Sequence, residues 1–197
     1  MGNVKSMQDW LDEWLEVFIK PNRAAKTYRC YKAVINIINR ECPKMKEITP
    51  CEMDTLYAQK ILNSFRHKFS KSTLNSMRVV FHESMLRASE NRDMKACPLG
   101  KLMVPQDAAE KHVRAMTRAE QAAVEDAAQT VLYGDIALFF LQTGLRAEEL
   151  CFLDWDDYNR RNQTIFVRKS KTDAGVRIVP LTNEARYILA LQPKSSH

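Results

Sequence analysis

For most of this chain the apolar side chains recur at three- and four-residue spacing, and only after Asn162 does the texture change to β-branched runs. That one change of period constrains the fold most: mainly α, with a small β-hairpin or sheet near the end. Trp10, Leu11, Trp14, Leu15 and Phe18 mark a first helix behind Ser6, whose hydroxyl suits the cap while Asp9 sits at the positive helix end. A second run covers 24–42, with Tyr28, Tyr31, Val34, Ile35 and Ile38 on one side, and Pro43 closes it. Thr49-Pro50-Cys51-Glu52 joins a capping box to a proline, which predicts a third helix through Met53, Leu56, Ile61 and Phe65. Ser72 is expected to start a fourth, carrying Leu74, Met77, Phe81, Met85 and Ala88 and ending near Asn91.

Between 93 and 114 the periodicity stops and Pro98, Gly100 and Pro105 intervene, which reads as a linker between a helical domain at 1–92 and a second domain at 115–197. Thr117 and Glu120 form another capping box, ahead of an alanine-rich helix. The apolar run 135–143 reads as a buried helix stopped by Gly144, and 146–153 as the next helix, with Leu150 and Leu153 inward. Residues 164–168 and 176–179 bracket a polar stretch containing Asp173 and Gly175, the pattern of a hairpin. Thr182 then caps a last helix through Ala185, Ile188 and Leu189.

A length of 197 residues, 45% hydrophobic, leaves room for one ordinary domain or two small ones with real cores. No apolar run approaches the roughly 20 residues of a membrane span, and no secretory leader is visible. Met1-Gly2 with Ser6 fits a short acylation pattern, but without a polybasic cluster to support it, and Ser6 is already explained as a cap. The cysteines at 30, 42, 51, 97 and 151 are odd in number and lack a Cys-x-x-Cys pair, so neither a disulfide framework nor a zinc site is expected. A reducing cytoplasm is the expected location. Basic charge is concentrated early: residues 1–105 hold 18 Lys and Arg against 11 Asp and Glu, whereas 106–197 hold 12 against 13. An excess in one segment suits a polyanion-binding module, although a well-solvated surface has the same composition.

The segment Thr143-Gly144-Leu145-Arg146-Ala147-Glu148-Glu149-Leu150 is the most specific in the chain. Arg146 follows a glycine-terminated helix and stands at the start of the next, where free amides and a positive helix end favour an anion. Glu149, three residues on, shares its face and can hold its guanidinium. A surface ion pair has the same spacing, so the surroundings must decide. Lys169, Lys171 and Arg177 lie on or near the hairpin, whose turn with Ser170, Thr172 and Gly175 can reach toward a bound strand. An ammonium there can pass a proton to a departing oxygen, and a merely solvated basic hairpin is the alternative. In the first half, Lys26, Arg29 and Lys32 follow three-residue spacing, while Lys71, Thr73, Asn75 and Arg78 crowd the start of the fourth helix. Both sets suit one element lying against a duplex groove, or the polar sides of amphipathic helices.

Thr143-Gly144-Leu145-Arg146, then Glu149-Leu150, Leu153, Trp155 and Asp157, then Ser170-Lys171-Thr172 between strands, and finally Val179-Pro180-Leu181 resemble the first half of the catalytic domain of tyrosine recombinases, the phage and conjugative-transposon integrase family. The four helices of 1–92, with Thr27-Tyr28 and Ser72-Thr73-Leu74, resemble that family's core-binding domain. The resemblance implies a SAM-like four-helix core-binding domain followed by an incomplete α/β catalytic domain. It implies site-specific recombination of double-stranded DNA through a 3′-phosphotyrosyl link, with no cofactor, metal, small-molecule ligand or membrane, self-association on DNA, and a bacterial or mobile-element origin. Arg146 would be the first arginine of the phosphate pocket and Lys171 the general acid, with Lys169 a less favoured candidate. Glu149 and Asp157 would support the pocket, and Lys26, Arg29, Lys32, Lys71, Thr73, Asn75, Arg78, Lys169 and Arg177 would contact DNA.

The sequence departs from that family in one respect. The family's His-x-x-Arg segment, a further His or Trp and the nucleophilic tyrosine all follow the hairpin, and none is present by His197. Tyr28, Tyr31, Tyr57, Tyr133, Tyr158 and Tyr187 read as core or surface residues. The 197 residues alone are therefore expected not to cleave DNA. The alternative is a non-catalytic DNA-binding protein that occupies or regulates recombination sites of a mobile element; a helical protein-interaction module is a third reading.

Overall fold

A computed structural model describes residues 5–91, 95–110, 113–171 and 173–193. Met1 and Gly2 of the acylation pattern, His112, Thr172 and His197 lie outside them. The chain divides into two compact units, Met1–Val113 and Arg114–His197.

In the first unit, α1 spans Met7–Trp14, with the Ser6 hydroxyl accepting the Asp9 N–H at 3.1 Å as its cap. It runs on into a wider π-helical turn, Leu15–Ile19, whose exit is marked by Lys20 N–H donating to the Leu15 carbonyl. Helix α2, Ala25–Glu41, presents Val34, Ile35 and Ile38 to the core. The Thr49 capping box forms as its residues predict, the Glu52 carboxylate accepting the Thr49 N–H at 2.8 Å, yet it covers a single 3₁₀ turn, Pro50–Glu52. Helix α3 starts afresh at Thr55–Ser64, because Asp54 accepts the Tyr57 N–H at 2.6 Å and caps it independently. Helix α4, Lys71–Glu90, begins two residues before the expected start. Ser70, extended with ψ 155°, accepts the Thr73 N–H, whereas Ser72 is already inside the first turn.

The four helices enclose one core around Trp10, Leu11, Trp14, Ile35, Ile38, Leu62, Leu74, Met77, Phe81 and Met85. The Trp10 indole donates to the Ser84 carbonyl at 3.1 Å, and Trp14 stacks on Tyr31 at 5.9 Å between ring centres. Leu99, Leu102 and Ala108, from the stretch expected as a linker, are buried in the same core. That stretch is tied down by backbone bonds: Gly100 N–H to Thr55 Oγ1 at 2.8 Å, and Met103 N–H and C=O to the Gln59 amide, both at 2.9 Å. It carries no helical period because it packs as extended chain, so its apolar residues do not read as core.

The second unit holds α5 (Arg118–Ala128), α6 (Gly134–Thr143), α7 (Ala147–Cys151) and α8 (Asn183–Leu191). The Thr117–Glu120 box and the Thr182 hydroxyl cap α5 and α8. Three antiparallel strands follow the order β1 (Tyr158–Asn159), β2 (Thr164–Val167), β3 (Arg177–Pro180). Ile165 stands opposite both Tyr158 and Val179, and Val167 opposite Arg177. The core gathers Phe139, Leu145, Ile165, Val167, Val179, Leu181, Ala185 and Ile188. Helix α6 differs from the expected buried helix: Phe139 is 3% exposed, but Ile136 is 41% exposed. Among the described residues, no helix is long and apolar enough to cross a membrane.

Candidate functional site

Helix α6 ends at Gly144, whose φ of 64° is the left-handed conformation that glycine adopts without steric cost. Leu145 then pegs the chain into the core, and Arg146, in extended conformation, is the cap residue of α7. The carboxylate of Glu149 turns back to this cap: one oxygen accepts the Arg146 N–H at 2.9 Å, the other the Arg146 guanidinium at 2.6 Å. With five residues, α7 offers little helix dipole, and its cap amide is taken by Glu149. The positive charge of the site is therefore that of the guanidinium.

The hairpin closes over the same carboxylate. Arg177 donates from Nη1 to Glu149 Oε1 at 3.1 Å and from Nη2 to Glu149 Oε2 at 3.0 Å, and also reaches the Gly175 carbonyl at 2.9 Å. The Ser170 hydroxyl donates to Glu149 Oε1 at 2.7 Å and lies 3.4 Å from Arg146 Nη1. The Glu149 side chain is left 1% exposed, covered by its partners, while that of Arg146 remains 61% exposed. The hydrogen bonds of Arg177 foremost, then the Arg146 N–H, Ser170 and the Arg146 side chain, hold the Glu149 carboxyl far below the usual carboxylate range despite its burial. A carboxylate held ionised by these bonds thus fixes one guanidinium edge and leaves the rest of Arg146 open to an anion.

Lys171 follows Ser170 on this turn, is exposed, and has no hydrogen-bonding or ionic partner among the described residues. Lys169 is placed elsewhere, its ammonium 3.9 Å from the centre of the Phe152 ring. Asp157 is buried at the turn entering β1, where it accepts the Asp154 N–H at 2.9 Å and pairs with Arg168 at 3.2 Å. Arg177, expected among the DNA contacts, has its guanidinium bonded to Glu149 while its side chain stays 32% exposed. Its inward place was legible in strand parity: Arg177 shares a face with Val179, which is buried. Ser170 had no such signal, since it lies beyond the strand.

In the first unit, Lys26, Arg29 and Lys32 are exposed on α2, with the Lys32 ammonium 5.8 Å from the Tyr28 ring centre. At the start of α4, Lys71 pairs with Glu110 at 3.0 Å, Thr73 shares a hydrogen bond with Ser70, and the Asn75 side chain accepts from Arg78 at 3.1 Å. Asn75 and Arg78 line a surface groove with Gln59, Asn63 and Lys101, three polar residues that helical spacing alone does not bring together.

Residues 105–195 match the phage integrase family. A Tn1549 transposon integrase in complex with a circular intermediate DNA is similar in structure, with a TM-score of 0.74 at 16% identity over 98% of this chain and 68% of that one. A lambda integrase dimer bound to a COC′ core site gives a TM-score of 0.68 at 20% identity, over 95% of this chain and 54% of that one. A lambda integrase tetramer bound to a Holliday junction gives 0.68 at 20% identity, over 96% and 54%. The chain therefore spans about half the length of the lambda integrase chains it resembles. No curated protein sequence matches it significantly. Residues 105–195 are thus similar to the phage integrase family, and over nearly its whole length the chain has the fold of the integrase structures it matches.

Proposed function

We propose that this chain is the DNA-holding part of an integrase-type recombinase, in which the first unit grips a duplex and Arg146 with Lys171 receives one backbone phosphate. The observation that carries this reading is an exposed guanidinium fixed from behind by a buried carboxylate, with the turn bearing Lys171 bonded to the same pair. In phosphotyrosyl transfer a tyrosine oxygen bonds to phosphorus, the bond to the 5′-oxygen breaks, and that oxygen takes a proton. Arg146 would neutralise nonbridging oxygens as charge develops, and Lys171 would supply the proton. Asp157 would support the site by holding Arg168, two residues before Ser170, against the turn entering β1. The Tn1549 and lambda relatives were solved on DNA, and the lambda relatives as a dimer and a tetramer, which supports duplex DNA and further copies on it as partners.

No His-x-x-Arg sequence occurs in the 197 residues, and no tyrosine hydroxyl bonds Arg146, Glu149, Ser170 or Arg177 among the described residues. That favours a second reading for the polypeptide by itself: it binds recombination sites without cutting them. A salt titration of duplex binding tests the common ground. Log affinity is expected to fall linearly with log salt, at about −0.9 per phosphate neutralised. A flat response removes the DNA assignment. Incubation with a nicked substrate that traps covalent intermediates separates the two readings: no protein–DNA adduct is expected, and an adduct would show that the chain carries its own nucleophile.

A further inference from the structure

The two limbs of the hairpin turn are fastened to one carboxylate. The first limb reaches it through the Ser170 hydroxyl, 2.7 Å from Glu149 Oε1, and the second through Arg177, which also donates to the Gly175 carbonyl. The limbs also press on each other. A Cβ on Gly175 would stand 2.0 Å from Ser170 Oγ, 2.4 Å from Ser170 Cβ and 3.4 Å from Arg146 Nη1, so only a hydrogen fits there. Lys171 is the next residue after Ser170, and among the described residues its side chain has no partner of its own to fix it. Whatever places that ammonium relative to Arg146 must therefore act through the backbone of the turn.

We infer that Ser170 is a positioning residue: its hydroxyl, seated against Gly175, locks the Lys171 turn onto the Arg146–Glu149 pair so that both cations address one phosphate. The inference rests on the Arg146–Lys171 reading above. A lysine on a free loop would lose its conformational freedom at the moment of binding, whereas a turn already pinned by a charge-assisted bond has lost much of it beforehand. Ser170 itself needs no contact with the phosphate. The bond to Glu149 uses its single hydroxyl proton, which leaves Arg146 as the donor facing the anion.

The test uses the full 197-residue chain, a short mixed-sequence duplex followed by fluorescence anisotropy at fixed salt, and amide hydrogen exchange across 168–175. Ser170→Ala is expected to speed exchange in the turn and to weaken duplex binding about fivefold, the scale of the net contribution of one ordinary intramolecular hydrogen bond. Ser170→Thr, which keeps the hydroxyl, is expected to stay near the parent in both. Gly175→Ala, which displaces the same turn by its added methyl, should reproduce Ser170→Ala. Parent-like exchange and affinity in Ser170→Ala overturn the inference, as does Ser170→Thr behaving like Ser170→Ala. Arg146→Ala and Lys171→Ala distinguish the two levels. If both weaken binding while Ser170→Ala is silent, only the positioning role falls; if neither does, the Arg146–Lys171 reading falls with it.

Discussion

Glu149 accepts from the Arg146 amide, the Arg146 and Arg177 guanidiniums and the Ser170 hydroxyl, so all the acceptor capacity of its two oxygens is in use. Glu149→Gln replaces one acceptor by an N–H₂ group aimed at a guanidinium and removes the charge that both arginines share. Because both guanidiniums reach solvent, the cost is discounted from that of a fully buried pair to about 2 kcal/mol, measured by urea denaturation of the second unit. The sign of its pH dependence is fixed. A carboxyl held below its ordinary value of 4.5 contributes stability that is complete above that value and is lost as pH falls toward the folded one. Glu120 behaves alike: the Arg114 guanidinium first, then the Thr117 N–H and hydroxyl, bring it from 4.5 down to about 2. Acid titration of the second unit should therefore show a plateau near neutrality and a decline beginning below about pH 4.5. In Glu149→Gln and in Glu120→Gln that decline should be shallower; unchanged acid sensitivity in both would remove the two carboxylates as its source.

At the scale of elements, capping chemistry was legible wherever one polar residue stood alone before a helix, and ambiguous where two competed. Ser6, Thr117 and Thr182 cap as their sequences imply. Near α4 the expected start is Ser72, but Ser70, two residues earlier, carries the same hydroxyl, and spacing does not decide between them. The extended backbone of Ser70 does, since only there does a hydroxyl reach the amide three residues on. Ser70→Ala should cost about 1 kcal/mol in the first unit and Ser72→Ala close to nothing, as read by thermal or urea unfolding; equal losses would contradict the assigned boundary. The junction of α5 and α6 depends on a different constraint. A Cβ on Gly134 would lie 1.8 Å from the Ala128 carbonyl oxygen, a backbone atom that cannot swing aside, so Gly134→Ala should destabilise the second unit by roughly 2 kcal/mol or more. Strand β1 was invisible for another reason: Tyr158–Asn159 is too short to show alternation and exists only as the partner of β2. The guanidinium–carboxylate pair of the site was readable from its three-residue spacing, whereas the ties from Ser170 and Arg177 depend on how the hairpin folds back.

For the whole molecule, the important boundary is where one cooperative unit ends. The change of texture at 93 suggests that the first domain stops there, yet Leu99, Leu102 and Ala108 are buried among its helices and the backbone of the adjoining Gly100, Met103 and Ala109 is bonded to Thr55, Gln59 and Lys71. Burying a leucine side chain contributes about 1.5–3 kcal/mol, and two leucines together rival half the net stability of a small domain. A fragment comprising residues 1–92 should therefore lose several kcal/mol relative to one comprising 1–113, and exposed α3 surface should make it prone to associate. Urea unfolding of the two fragments, followed by tryptophan fluorescence, checks this directly, because Trp10 and Trp14 both report on the first core. Equal midpoints would mean that the extended segment only rests on the helices. A large difference would mean that Asn75, Arg78 and Lys101 already form one preformed surface, so that the duplex binding proposed for the first unit would carry no cost of ordering that segment.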